Sequence, residues 1–138
     1  LDDLGLVPAL RALARDFEAE DTLQVVFDGP TTETSVGTDA ELVLYRALQE
    51  VLSNAVRHGG CTRVDVRLSL EADHALLTVL DNGRGMPEDA LQNLRSRGGL
   101  AGVRERVAAV QGDFEVGNGA DGGARVRIQV PRVHHGGG

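Results

Sequence analysis

Leu6, Leu10, Leu13 and Phe17 follow one another at steps of three and four residues, which stacks apolar side chains on one side of a helix from about Val7 to Ala19. Pro8 fits there, because the first turn of a helix has no intrahelical use for the missing N–H. Leu23, Val25 and Phe27 then alternate with polar or exposed positions until "DGP", Asp28 to Pro30, ends the run, which predicts a strand. After a loop rich in Thr and Ser, Pro30 to Gly37, a long helical pattern begins, with Thr38 or Asp39 as its cap and Glu41 near its positive end. It runs to about His58, where Gly59 and Gly60 stop it. Val64, Val66, Leu68 and Leu70 alternate with Arg63, Asp65, Arg67 and Ser69, the period of a strand with one buried face. A second strand, His74 to Leu80, follows the turn residues Glu71 to Asp73, and an antiparallel hairpin is the simplest pairing. The stretch Asn82 to Gly98 has little periodicity and many glycines, the character of a functional lid. Leu100, Val103, Val107 and Val110 mark a third helix that ends near Gly112, and the strands Phe114 to Gly117 and Ala124 to Val130 flank the turn Asn118 to Gly123.

Helices with one apolar stripe and strands that mostly pair with their neighbours predict an α+β fold, a two-layer α/β sandwich. A doubly wound sheet would need strand and helix to alternate throughout, and here they do not. The length of 138 residues suits a single domain with its own core.

Composition narrows the partners. A net charge of −7 with three Phe, one Tyr and no Trp is the opposite of a basic face with stacking aromatics, so nucleic acid is not expected as a partner. The single cysteine, Cys61, offers neither an internal disulfide nor a metal framework and fits a reducing cytosol, as a small, partly buried residue at a strand start. No apolar run approaches the roughly 20 residues that a membrane-spanning helix needs, so a cytoplasmic domain without direct membrane contact is expected. The tail 134–138, with His134 and His135 side by side, reads as a disordered end and not as a metal site.

Four stretches carry candidate chemistry. On the long helix Leu44, Leu48, Leu52 and Ala55 fall on one side, while Arg46, Glu50, Asn54 and Arg57 fall on the other, with His58 at the edge. The stripe is either a solvated face with ordinary contacts one turn apart or a site. As a site, Asn54 offers a neutral oxygen to a hard cation such as Mg²⁺, Glu50 an acid and Arg57 a phosphate contact. The second stretch is "DNGRGMP", Asp81 to Pro87. It is a turn by composition, but Asp81 is in phase with Ala75, Leu77 and Val79, where a carboxylate requires hydrogen-bond donors. An adenine amino group is one such donor, and Gly83 and Gly85 leave room for a flat ring. Third comes "RGGLAGVRERV", Arg97 to Val107, in which Gly98, Gly99 and Gly102 form either a hinge or a helix entry that turns N–H groups toward phosphates. The fourth, "DGGARVRIQVP", Asp121 to Pro131, reads alone as a turn and an edge strand.

In this order and spacing, over roughly residues 38 to 131, the stretches resemble the N box and the three glycine boxes of the histidine kinase ATPase domain, in the GHKL superfamily with its Bergerat fold. "LYRALQEVLSNAVRH" and "GGLAGVRERV" are most similar to the NarL/DesK-like kinases, and "LDDLGLVPALRAL" resembles the segment joining their dimerisation helices to the ATPase domain. The resemblance implies residues 1–19 as a linker and first helix leading from a dimerisation domain outside this chain, 20–133 as the ATPase domain and 134–138 as tail. It implies a mixed, mainly antiparallel five-stranded sheet with three helices on one face. Asn54 would hold Mg²⁺, Glu50 would position or deprotonate, and Arg57 and His58 would sit near the phosphates. Asp81 would accept from the adenine amino group, with Gly83, Gly85 and Met86 shaping that wall, while Gly98, Gly99, Leu100 and Gly102 would surround the phosphates. Ala124 departs from the pattern, standing where a Thr or Ser hydroxyl is common near the adenine, and Arg97 stands where a further Gly is common.

The implied activity is that of a sensor histidine kinase's catalytic domain. It binds Mg·ATP and passes the γ-phosphate to a histidine on a separate dimeric helical domain, with a response regulator downstream. His58 belongs to the N box, His74 to a strand and His134 and His135 to the tail, so the acceptor is expected outside this chain and the domain alone is expected to be monomeric. The alternatives are a degenerate nucleotide-binding signalling module and a serine kinase of the anti-sigma type.

Overall fold

The computed structural model describes residues 5–21, 23–30, 36–59, 61–83, 99–119 and 122–132. Its first element, α1 (Leu6–Asp21), buries Leu6, Leu10 and Leu13, the stripe expected from their spacing. Strand β1 (Gln24–Asp28) follows, and the Glu18 carboxylate of α1 accepts a hydrogen bond from the Val25 N–H at 3.1 Å. That bond occupies a donor on a sheet edge, which would otherwise be open to pairing with another chain.

Helix α2 (Thr38–Asn54) buries Leu44, Leu48 and Leu52 together with Ala40, Ala47 and Val51. Its start differs from the expectation that Thr38 or Asp39 caps it: Gly37 is the N-cap, at φ 125°, and no side-chain cap bond is made from that position. Glu41 reaches back instead, its Oε2 accepting from the N–H of Val36 at 2.9 Å and of Gly37 at 3.1 Å. A carboxylate there satisfies free N–H groups and faces the positive end of the helix dipole. The helix also does not run to His58 in one form. Its α-helical part stops at Asn54 and Ala55–Gly59 forms a single π-helical turn.

Strands β2 (Arg63–Leu70) and β3 (His74–Asp81) form the expected antiparallel hairpin, and β1 lies parallel to β2, with α2 as the crossover that a parallel pair requires. Helix α3 (Gly99–Ala109), β4 (Asp113–Asn118) and β5 (Ala124–Pro131) complete the chain. Strand β5 inserts between β3 and β4, so the five-stranded sheet has the order β1-β2-β3-β5-β4 and is mixed but mainly antiparallel. Three α-helices among the described residues pack on it, in the α+β arrangement expected from the sequence. One core joins Leu10 of α1, Leu44 and Leu48 of α2, Val103 and Val107 of α3, and the inward residues of the strands, among them Val66, Leu77 and Ile128. Among the described residues no polar or charged side chain is fully buried. The chemistry therefore sits where elements end.

Candidate functional site

The apolar side of α2 is committed to the core, which leaves Glu50, Asn54 and Arg57 to the opposite side. The Arg57 guanidinium donates from Nη2 to Glu50 Oε2 at 3.2 Å and to Asn54 Oδ1 at 3.0 Å. An ordinary α-turn sets neighbours three and four residues apart. The bond from Arg57 to Glu50 spans seven, and Arg57 stands on the π-helical turn, a feature that often marks functional positions. The stripe thus gathers into one cluster, with the Arg57 side chain 55% and that of Glu50 29% exposed.

Strand β3 ends at Asp81, in register with Val64 of β2. Asp81 is half-buried, and its Oδ1 accepts the N–H of Gly83 at 2.9 Å and that of Ala124, the first residue of β5, at 3.0 Å. Among the described residues nothing donates to Oδ2. The carboxylate expected on chemical grounds to need donors has two from the main chain, and one comes from Ala124 itself.

Cys61 relates the two clusters. Its thiol donates to the Ala55 carbonyl at 3.6 Å, next to Asn54 in the chain. It also feels Asp81: burial pushes the Cys61 thiol above its ordinary value, the negative charge of Asp81 adds to this, and a main-chain hydrogen bond acts weakly against both. The end of α2 and the end of β3 are therefore neighbours. Cys61 is half-buried just ahead of β2, the place expected for it.

Gly102 lies in α3, and a Cβ there would meet nothing within 4 Å among the described residues, so packing against them does not require the glycine. Gly99 opens α3. Gly85, Met86, Arg97, Gly98 and the tail lie outside the described residues, as do the side chains of His58 and Leu100. Among the described residues no three His, Cys, Asp or Glu gather as a metal cluster. A depression of about 200 Å³ on β4 and β5, lined by Asp113, Phe114, Glu115, Arg127 and Gln129, includes none of the candidate residues.

Two residues outside the sequence-derived set hold this end of the sheet. A Cβ on Gly123 would collide with the main-chain oxygen of Asp81, so the glycine lets β5 approach closely enough for the Ala124 N–H to reach the carboxylate. Asn82 accepts at Oδ1 from the N–H groups of Thr62 at 2.9 Å and Arg63 at 3.0 Å. The Gly-Gly pair directly before an in-phase strand was the available signal for Gly123. The turn signature Asn-Gly hid Asn82, because a turn residue needs no other explanation.

A two-layer sandwich that gathers its polar groups where the central helix and a central strand both end is the plan of the ATP-binding domains of the GHKL class. The chain belongs to the family of histidine kinase-, DNA gyrase B- and HSP90-like ATPases, whose pattern it matches over residues 39–134. It is 31% identical over 135 residues to the signal transduction histidine-protein kinase/phosphatase DegS of Bacillus subtilis, covering 95% of this chain and 35% of that protein. To the sensor histidine kinase MctS of Rhizobium johnstonii it is 32% identical over 134 residues, covering 96% of this chain and 29% of the other. The chain thus spans about a third of the length of these curated relatives. Among solved structures, the ATP binding domain of PrrB from Mycobacterium tuberculosis matches with a TM-score of 0.78 at 28% identity, over 95% of this chain and 96% of that one. The histidine kinase domain of a blue-light activated histidine kinase from Erythrobacter litoralis matches with a TM-score of 0.75 at 25% identity, over 89% and 59%. The resemblance read from the four boxes is borne out by family, by named relatives and by fold: this is an ATP-binding domain of the sensor histidine kinase type.

Proposed function

We propose that the domain, on the cytoplasmic side, binds Mg·ATP at the joined ends of α2 and β3 and delivers the γ-phosphate to a histidine on a separate dimeric helical domain of the same signalling protein, for relay to a response regulator. The observation that carries this reading is the Asp81 carboxylate. Oδ1 is held by the Gly83 and Ala124 N–H groups, which leaves Oδ2, without a donor among the described residues, to accept from an adenine amino group. Gly83, Gly85 and Met86 shape the wall against the base. Gly98, Gly99, Leu100 and Gly102 would surround the phosphates, N–H groups at the start of α3 among them, and Arg57 and His58, on the turn after α2, would lie near the phosphates too.

The donor set at the end of α2 fits Mg²⁺. Asn54 Oδ1 is a neutral oxygen beside the Glu50 carboxylate, and both already accept a cationic group from Arg57. Asn54 would hold the ion, which when bound offsets the negative charge of the triphosphate. The chain's own residues do the rest. Arg57 leaves its two partners to meet a phosphate, and Glu50, released from Arg57, orients the attacking imidazole or takes its proton. Transfer of this kind relies mainly on positioning and charge neutralisation, so one acid and a few phosphate contacts suffice.

Calorimetry with and without Mg²⁺ tests the reading. Wild type is expected to bind ATP with an affinity that depends on Mg²⁺, Asp81→Asn to lose about tenfold or more, and Asn54→Ala to lose the Mg²⁺ dependence. No uptake of ATP at millimolar concentration would sink the reading, and an Asn54→Ala variant with full Mg²⁺ dependence would sink the metal assignment. With ATP, acid-labile phosphohistidine is expected only when the dimeric helical domain is supplied; acid-stable phosphoserine on a partner would mark a serine kinase instead.

A further inference from the structure

Asp81 ends β3 and Asn82 follows it, and their side chains reach opposite neighbours. Asp81 bonds toward β5, through the Ala124 N–H. Asn82 bonds toward β2: Oδ1 accepts from Thr62 N–H and Arg63 N–H, and Nδ2 donates to Thr62 Oγ1 at 3.0 Å. The Asn82 N–H adds a main-chain bond to the Arg63 carbonyl at 3.2 Å, and the Thr62 carbonyl accepts from Gln24 of β1 at 2.9 Å. Pairing thus continues one residue past the register of Val64 with Asp81, through one main-chain bond and three bonds of the Asn82 side chain. Both lone-pair directions of Asn82 Oδ1 are used, so the amide oxygen has nothing left for a ligand.

We propose that Asn82 is a positioning residue for base selection. By fixing the end of β3 to β2 while Asp81 is fixed to β5, it sets the direction in which Asp81 Oδ2 points, and so the preference for a purine with an amino group over one with a keto oxygen at that place. This rests on the reading that Asp81 accepts from the adenine amino group. A hydrogen bond weakens steeply as its angle departs from linear, so a strand end free to pivot loses discrimination before it loses binding of the shared triphosphate. The Asn82 bonds lie at exposed positions, so their removal leaves the core untouched.

The test compares dissociation constants for ATP and inosine triphosphate, which differ in the group facing Asp81, for wild type, Asn82→Ala and Asn82→Asp. Wild type favours ATP. Asn82→Ala loses about tenfold of that preference through weaker ATP binding, with inosine triphosphate unchanged. Asn82→Asp keeps the acceptor for the two N–H groups and stays close to the wild-type ratio; its added charge acts equally on two ligands with the same triphosphate. Equal weakening of both ligands by Asn82→Ala, or no change in their ratio, overturns the proposal. Should Asn82→Ala not fold, Asn82→Leu removes the same side-chain bonds with the volume nearly kept, and an unchanged ratio there overturns it. A wild type indifferent to the two nucleotides brings down the Asp81 reading itself, and the proposal with it, a result distinct from a wild type that discriminates beside an Asn82→Ala that does so equally.

Discussion

The phosphate contact proposed for Arg57 excludes the position that its side chain holds in the structure. In the structure its Nη2 serves Glu50 and Asn54, while the proposed phosphate contact needs it to let go of both. Release is inexpensive, because a pair in which the arginine side chain is 55% exposed contributes at most about 1 kcal/mol after screening. Cys61 reports on the same region. Because burial and then the Asp81 charge raise its pKa, less thiolate is present at any given pH, and alkylation near pH 8 should be slower than for a free cysteine. In Asp81→Asn the second cause is gone, the pKa falls and alkylation should quicken; stopped-flow thiol labelling over a pH series reads both. An unchanged profile in the variant would mean that Asp81 and Cys61 are not coupled. Ala124 is instructive at this scale too. Side-chain chemistry alone predicts a missing hydroxyl and a loss of about 1 kcal/mol in ATP binding. The structure adds that the main-chain N–H of this residue donates to the Asp81 carboxylate, a contact that no reading of side chains can supply.

At the scale of elements, the long helix shows what periodicity conveys. Leu44, Leu48 and Leu52 are buried as their spacing requires, because a stripe repeating every turn has one way to face a sheet. The cap was not legible in the same way. Thr38, Asp39 and Glu41 all suit a helix start, and which one acts depends on the φ of 125° at Gly37, set by how the chain arrives from the buried Val36. Near α3 the left-handed residue is Gln111, at φ 58°, and not Gly112. Gly112 is needed for space instead, since a Cβ there would lie 2.5 Å from the Gln129 carbonyl oxygen. The same logic makes Gly123→Ala informative. Its methyl group must push β5 from the main chain of Asp81, which is expected to cost about 1–3 kcal/mol by thermal or urea unfolding and to weaken ATP binding as well. Wild-type stability and affinity in this variant would show that β5 can approach Asp81 in another way.

For the whole molecule, the question is whether α1 is a linker or part of the folding unit. Its Leu10 is fully buried in the core shared with α2, α3 and the sheet. Leu10→Ala should therefore lower the stability of the whole domain by about 2–5 kcal/mol in a single unfolding transition. A separate early transition, or no loss, would make α1 an appendage. Among the described residues no helix is long and apolar enough to cross a membrane.

By itself the sequence determined the elements and the inventory of chemistry. Helical and strand periods are local, and the order of the four boxes along the chain is enough to identify the family. It did not determine which neighbours each end would meet. The insertion of β5 between β3 and β4, the Ala124 N–H on Asp81, the close approach at Gly123 and the grip of Asn82 on Thr62 all join residues distant in the chain. Such contacts exist only once the sheet has closed its register, because a hydrogen bond between distant residues depends on where the backbone arrives and not on residue type alone.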